Sequence, residues 1–216
     1  MNPQTERRII QGPAGAIEVA VDRPGAGEGN SRGLAVVGHP HPLHGGTMDN
    51  KVVQTLARAH VLAGFEVWRF NVRGVGASAG LWDAGVGERD DFRAVLAAAR
   101  AERASGDSPR LALAGFSFGS HLASMVATEL RAAGQALVST VLVGPAVVNF
   151  QVDLPTVGGL VVHGSADEVV PLEAVLAWAT PQAQPVLVLP GVGHFFHGQL
   201  PLLRQCVLRH LQSLPE

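Results

Sequence analysis

The sequence is poor in cysteine and in charged residues, and it has no cluster of basic residues and no long apolar run. Its single cysteine, Cys206, cannot form an intramolecular disulfide, and we expect it to act as a small apolar residue on a buried helix face. The 16 Lys and Arg residues and 18 Asp and Glu residues leave a formal net charge of −2. No row of basic residues could neutralise a row of phosphates, which argues against a nucleic-acid partner.

The apolar runs are all shorter than a membrane-spanning segment, and the first eight residues lack the apolar region of a secretory signal. We therefore expect no membrane partner and a cytoplasmic location. Of the 216 residues, 47% are hydrophobic and 16% are charged, which is typical of a globular protein with a well-buried core. The length fits one domain over residues 1–216 and leaves the choice between a monomer and a homodimer open.

Short apolar runs alternate with helical stretches along most of the chain. Residues 8–21 contain two strand-like runs around a Gly/Pro turn and predict an antiparallel hairpin at a sheet edge, followed by a surface loop over 25–33. The later runs are typical of strands buried on both faces of a parallel sheet. The pattern predicts an α/β fold with a mostly parallel central sheet of about eight strands and helices on both faces. The predicted strands are 34–37, 65–70, 111–114, 137–143, 160–162 and 186–189, and the predicted helices are 50–63, 89–103, 117–133, 172–179 and 199–211. Gly64 and Gly106 are the expected stop signals after the first and second helices, and Asp90 and Asp91 are expected in the first turn of the second helix.

The clearest motif surrounds Ser117, where residues 115–119 match G-x-S-x-G between a buried strand and an apolar helix. In a nucleophile elbow the serine lies on a strained strand-to-helix turn, and glycines flank it because the two backbones crowd together. The alternative is that Ser117 only caps the helix. The strand before it and the helix after it favour a nucleophile.

A serine hydroxyl needs a base to accept its proton. Where the serine lies in a nucleophile elbow, the acid and then the base follow it along the chain. His194 lies in the loop after the last predicted strand, on the same side of the sheet as the elbow, and is the predicted base. His197 is closer to the final helix, and we expect it to cap that helix or support the site.

Asp167 is the predicted acid, because a buried strand and a turn of small residues precede it and because it can face His194 across the next strand. Asp153 is the alternative, since the acid can also follow the preceding strand. Glu168 is expected to be a solvated neighbour.

The oxyanion of a tetrahedral intermediate needs backbone N–H donors. The residue after the nucleophile, Phe118, supplies one of them. The second is expected from the loop after the strand 34–37, where the prolines have no N–H. We predict that His41 is this donor, with Leu43 as the alternative.

The same loop carries His39, His41 and His44, and three imidazoles close in sequence could ligate a metal ion. The intervening prolines make the loop stiff and splay these side chains, and the loop itself has no carboxylate before Asp49. We therefore expect no metal and no cofactor. The glycines in 71–78 lack the spacing of a dinucleotide-binding loop.

Together these motifs resemble the α/β-hydrolase superfamily and, more narrowly, small bacterial serine hydrolases without a lid domain, of the dienelactone-hydrolase and esterase type. The resemblance implies an α/β-hydrolase fold and the triad of Ser117, Asp167 and His194. Only residues 144–159 are available where larger relatives insert a helical cap, so we expect an open cleft. The segments that carry the resemblance are 39–51, 71–78, 115–119 and 193–196.

We expect hydrolysis of carboxylic esters, or of thioesters, with short to medium acyl chains through an acyl-serine intermediate. Phe116, Trp82 and Phe195 are the predicted apolar lining of the substrate site, with Phe118 and Phe196 as further candidates; core packing is the alternative for each. Two other functions stay open: a peptidase of the prolyl-oligopeptidase type and a non-catalytic binding module with a hydrolase fold.

Overall fold

A computed structural model describes residues 5–25, 31–103, 110–154 and 158–215. Gly106 and residues 26–30 of the predicted surface loop lie outside these ranges. The strands are β1 (Glu6–Gly12), β2 (Gly15–Asp22), β3 (Gly33–Gly38), β4 (Phe65–Phe70), β5 (Arg110–Phe116), β6 (Ser139–Val143), β7 (Gly159–Gly164) and β8 (Val186–Leu189). The α-helices are α1 (Lys51–Leu62), α2 (Val86–Ala101), α3 (Phe118–Ala132), α4 (Leu172–Ala179) and α5 (Leu200–Gln212).

All eight strands form one sheet in the order β1-β2-β4-β3-β5-β6-β7-β8. The β1–β2 and β2–β4 pairs are antiparallel, whereas every other neighbouring pair is parallel. This arrangement confirms the predicted N-terminal hairpin and the mostly parallel sheet. The carboxyl ends of β3, β5, β7 and β8 therefore lie at one edge, where the loops that follow these strands can form a common site.

Each face of the sheet is covered by its own apolar cluster. In β3, Leu34 and Val36 pack into the cluster that includes α2 and α3, whereas Ala35 and Val37 pack into the cluster that includes α1 and α5. Because successive side chains of a strand point to opposite faces, a strand covered on both sides needs apolar residues at every position. This is why the central strands have continuous apolar runs rather than alternating ones.

The predicted start of the second helix, residue 89, is wrong. Helix α2 begins at Val86, because the Glu88 carboxylate accepts the N–H groups of Asp83 and Gly85 and so satisfies donors at the helix start. Asp91, which the sequence pattern assigned to the first turn, instead accepts hydrogen bonds from Arg73 in the interior. The predicted end of α2, residue 103, is two residues late, and the bounds of the other four helices agree with prediction to within one residue.

The connection between β6 and β7 is where larger relatives carry a cap. Its described residues, 144–154 and 158, contain no helix. Cys206 lies on α5, where it is partly buried against the apolar cluster of that face. None of the helices in the described ranges is long and apolar enough to cross a membrane.

Candidate active site

Ser117 lies between β5 and α3 in a strained backbone conformation, with φ 54° and ψ −118°. Close backbone packing on both sides of the turn requires the flanking glycines. A Cβ on Gly115 would overlap the carbonyl oxygen of Gly119, and a Cβ on Gly119 would overlap the carbonyl group of Gly38 in β3. The G-x-S-x-G pattern therefore has a steric cause, and the turn has the geometry of a nucleophile elbow.

Hydrogen bonds to neighbouring strands hold this turn in place. The N–H of Ser117 donates to the carbonyl oxygen of Val143 at 2.9 Å. The hydroxyl of Ser120 donates to the carbonyl oxygen of Gly115 at 2.9 Å and lies 3.2 Å from that of Val143. Ser117 itself is only 8% exposed, and it lines the cavity at this edge of the sheet.

Asp167 and His194 form a buried hydrogen-bonded pair. His194 Nδ1 lies 2.7 Å from Asp167 Oδ2, and Asp167 Oδ1 accepts the N–H groups of Val169 at 2.9 Å and Val170 at 2.8 Å. Burial opposes ionisation of Asp167, but the hydrogen bonds from His194 and from these two N–H groups outweigh it and keep the pKa of Asp167 below its ordinary value. Because Nδ1 faces a carboxylate, it carries a proton, which leaves Nε2 as the ring nitrogen that can accept one.

The turn that carries Asp167 and the loop that carries His194 are joined by backbone hydrogen bonds. Ser165 N donates to the Leu189 carbonyl oxygen at 3.0 Å, and Ala166 N donates to that of Val192 at 3.0 Å. Gly191 N donates to Ser165 Oγ at 2.8 Å. The relative position of the acid and the base is therefore held by the ends of β7 and β8 rather than by two independent loops.

The buried His39 connects the loop after β3 to the loop after β4. Its Nδ1 lies 2.6 Å from the carbonyl oxygen of Pro40, so Nδ1 carries the proton, and its Nε2 accepts the N–H of Val72 at 3.2 Å. Burial lowers the pKa of His39 to about 4, so the ring is neutral. Both ring nitrogens are occupied, and the described ranges contain no group of three or more His, Cys, Asp or Glu side chains that could hold a metal ion.

The ring of His41 is packed against aromatic side chains, with centroids 4.6 Å from Trp82 and 5.5 Å from Phe118. Burial, followed by the nearby ring of His44, lowers the pKa of His41. His41 Nδ1 accepts the N–H of Leu43 at 3.2 Å. This N–H is the one that Leu43, the alternative donor, would have to offer to the oxyanion. The N–H of Phe118 belongs to the first residue of α3 and has no acceptor within that helix.

Ser117, His194 and part of the loop after β3 border a cavity of about 300 Å³. Phe195 and Val169 both line this cavity, and each has about half of its surface exposed. Sequence analysis did not single out Val169 or Asn50, whose contribution depends on how the loops meet. The described residues that line the cavity are Pro40, His41, His44, Gly45, Gly46, Asn50, Ser117, Val169, His194 and Phe195.

Two of the predicted lining residues lie elsewhere. Phe116 has no exposed surface, and its ring lies 5.0 Å from the ring of His194, so it supports the histidine from the core and cannot contact a substrate in this conformation. Trp82 packs against the rings of His41 and Phe118 and is not among the described residues that line the cavity. Phe196 is also fully buried. Of the predicted lining residues, Phe195 alone borders the cavity.

Asp153, which could also have been the acid by its place after β6, makes its contacts away from His194. Its carboxylate accepts a hydrogen bond from the Gln151 side chain at 3.0 Å, and its N–H donates to Ser124 Oγ at 3.0 Å. Glu168 is exposed, as expected. His197 is exposed as well, with its ring 5.9 Å from that of Phe195.

His163 is a direct neighbour of Asp167 to which sequence analysis gave no role. Its Nε2 lies 3.5 Å from Asp167 Oδ2, and both side chains are completely buried. The position of His163 in β7, four residues before the acid, was the available signal for this contact.

The sheet, the strained serine turn and the buried His–Asp pair define an α/β serine hydrolase. Residues 41–152 match the model of the family described as serine aminopeptidase, S33, and the chain belongs to this family of α/β hydrolases. The superfamily that the motifs resemble is therefore confirmed.

Solved structures of other bacterial proteins share the whole fold. An α/β serine hydrolase without a lid from Xanthomonas campestris is 35% identical, with a TM-score of 0.87, and the match covers 100% of this chain and 98% of that one. An α/β serine hydrolase homologue from Coxiella burnetii is 41% identical, with a TM-score of 0.84 and coverage of 95% and 97%. An uncharacterized protein of Rickettsia prowazekii is 40% identical over 114 residues, which is 53% of this chain and 46% of the rickettsial protein. The match thus spans about half the length of that curated relative.

Proposed function

We propose that this hydrolase cleaves uncharged carboxylic esters with short to medium acyl chains, with Ser117 as nucleophile, His194 as base and Asp167 as the orienting acid. One observation carries the proposal: Ser117 and His194 line the same cavity, and Asp167 holds the far nitrogen of His194 at 2.7 Å. The two nitrogens of His194 thereby have different tasks. Nδ1–H is fixed on the carboxylate, and Nε2 is available for the serine proton.

In the first half-reaction, Ser117 Oγ attacks the ester carbonyl carbon while His194 Nε2 takes the hydroxyl proton. The Asp167 carboxylate stabilises the imidazolium and stays ionised, which fits its lowered pKa. The negative charge on the former carbonyl oxygen is stabilised by the N–H groups of Phe118 and His41. The ester C–O bond then breaks, and the leaving alcohol takes the proton from His194.

In the second half-reaction, water attacks the acyl-serine carbonyl and gives a proton to His194 Nε2. The tetrahedral intermediate again places its oxyanion at the N–H groups of Phe118 and His41. Ser117 leaves with the proton from His194, and the carboxylic acid is released. The same mechanism applies to thioesters, with a thiol in place of the alcohol.

The cavity favours small uncharged substrates. Its volume of about 300 Å³ is at the lower end of the range of roughly 300–1,000 Å³ for small-molecule sites. None of the described residues that line it is Asp, Glu, Lys or Arg. An aminopeptidase has to bind the ammonium group of its substrate, for which a carboxylate is the natural partner. This weighs against the activity that the family description names.

The proposal is tested with p-nitrophenyl esters from acetate to palmitate, using the wild-type enzyme and Ser117→Ala. We expect turnover of acetate and butyrate, a sharp fall at palmitate, and a loss of more than about a thousandfold in the variant. Aminoacyl p-nitroanilides serve as the peptidase control. Faster cleavage of these anilides than of the esters would show that the protein is a peptidase rather than an esterase. Saturable binding of the esters without turnover would indicate a binding module.

A further inference from the structure

His163 lies at the carboxyl end of β7, four residues before Asp167, and its side chain is completely buried. Its Nε2 lies 2.9 Å from the carbonyl oxygen of Val170 and 3.5 Å from Asp167 Oδ2. This carboxylate oxygen is the one that accepts the hydrogen bond from His194. A third residue is therefore in direct contact with the acid at the oxygen that holds the base.

The protonation state of His163 follows from its neighbours. Both oxygens that face Nε2 are acceptors, so Nε2 carries a proton. Nδ1 is buried and has no hydrogen-bond partner among the described residues, which disfavours a second proton there. In agreement, burial lowers the pKa of His163 in spite of the opposing effects of Asp167 and the Val170 carbonyl group. The ring is a neutral donor.

His163 also closes the turn that binds the acid. Val170 accepts the Nε2–H of His163 through its carbonyl oxygen and donates its own N–H to Asp167 Oδ1 at 2.8 Å. The hydrogen bond from His163 Nε2–H to the Val170 carbonyl oxygen thus fixes the segment whose N–H binds Asp167 Oδ1. The same Nε2–H group also lies near Asp167 Oδ2. Rotation of the carboxylate away from His194 would break contacts at both oxygens.

We propose that His163 is a positioning residue, which keeps the Asp167 carboxylate oriented toward His194 without adding a positive charge beside it. The absence of charge matters because an imidazolium at His163 would repel the imidazolium that forms on His194 during acylation. The proposal rests on the proposed roles of Asp167 and His194. It adds one requirement for activity to the three residues of the triad, namely a neutral histidine in contact with the Asp167 carboxylate.

The test measures two rates: the reaction of Ser117 with a fluorophosphonate probe, and kcat for p-nitrophenyl acetate. His163→Phe removes the donor at similar volume, and His163→Asn is too short to reach the Val170 carbonyl group. We expect each to lower both rates about tenfold or more, because each loses the buried hydrogen bond to Val170 that fixes the turn around the Asp167 carboxylate. KM should stay unchanged, because His163 does not line the cavity. His163→Gln keeps an uncharged N–H donor near the Nε2 position and should restore most of the rate.

A double-mutant cycle separates positioning from general packing. In an Asp167→Asn background, the same His163 substitutions should change the rates by less than about twofold, because the carboxylate on which they act is gone. His60→Phe is the matched control. His60 is also a fully buried histidine with one ring nitrogen bonded to a backbone carbonyl, that of Leu56, and the other unpaired among the described residues, but it lies on α1. This variant should keep wild-type rates.

The outcomes distinguish the two proposals. If Asp167→Asn does not reduce labelling, the proposed role of Asp167 as the orienting acid fails, and the inference about His163 fails with it. If Asp167→Asn reduces labelling and His163→Phe and His163→Asn do not, only the inference about His163 is overturned. Equal losses in both backgrounds, or no recovery in His163→Gln, would show that His163 acts by packing and would also overturn it. Should His163→Phe fail to fold, the comparison of His163→Asn with His163→Gln decides.

Discussion

The close packing of α3 against β3 predicts a large effect of adding one methyl group at Gly119. A Cβ there would lie 2.9 Å from His39 N and closer still to the carbonyl group of Gly38, whereas real Cβ atoms essentially never come within 3.0 Å of another atom. The two backbones would have to separate by roughly 1 Å to restore a van der Waals contact. The proposed oxyanion donors, Phe118 and His41, lie on either side of this contact.

Because a 1 Å misplacement of catalytic groups costs about a hundredfold in rate, Gly119→Ala should lower kcat/KM for p-nitrophenyl butyrate by about that factor. Gly38→Ala should have a smaller effect, since its Cβ would meet Gly119 at 3.0 Å and only small shifts are needed. Gly25→Ala is the control, because no atom of the described residues, its chain neighbours aside, lies within 4 Å of an added Cβ. Circular dichroism melts verify folding, and Gly38→Ala decides the matter if Gly119→Ala does not fold. A folded Gly119→Ala enzyme with nearly wild-type activity would refute the steric reasoning.

Two further predictions concern stability and substrate binding. The pKa values of the buried His39 and His60 are lowered to about 4, below the ordinary value of 6.5, so the unfolded chain binds more protons between these pH values. Stability should therefore be complete above pH 6.5 and fall toward pH 4, by about 3 kcal/mol for each histidine. Urea unfolding of His60→Phe across this range should show a loss that is smaller by that amount, and an unchanged pH dependence would contradict the assignment. Phe195→Ala should raise KM for p-nitrophenyl butyrate with little change in stability, because the ring borders the cavity and is half exposed. Phe116→Ala should instead lower the free energy of unfolding by about 3–5 kcal/mol, as for other buried aromatic side chains; similar effects of the two substitutions in both assays would refute this distinction.

Sequence patterns predicted the strands, their mainly parallel arrangement and the proximity of Asp167 to His194. These predictions succeeded because they depend on local features: short apolar runs for strands, and chain order for residues that follow parallel strands. The Gly-rich elbow is predictable for the same reason, since the glycines record a steric contact that any other residue would break. The catalytic roles of these residues stay predictions, as do those of the proposed oxyanion donors.

The missed features depend on contacts between distant segments. Phe116 and Phe195 are alike in a sequence pattern, yet one belongs to the last position of a buried strand and the other to an exposed loop. The start of α2 depends on a cap by the Glu88 side chain, whereas the sequence pattern placed Asp90 and Asp91 in the first turn. His163 directly follows the predicted strand 160–162, and its contact with Asp167 appears only when the turn after β7 is folded.

The most direct test of the central claim is to map the residue that reacts with a fluorophosphonate in the native enzyme. After labelling, intact mass and peptide mass spectrometry identify how many probe molecules are attached and where. We predict a single adduct on Ser117, no adduct in Ser117→Ala, and no adduct when the wild-type chain is unfolded before the probe is added. An adduct on another residue, or labelling that persists in Ser117→Ala, would contradict the assignment of Ser117 as the nucleophile.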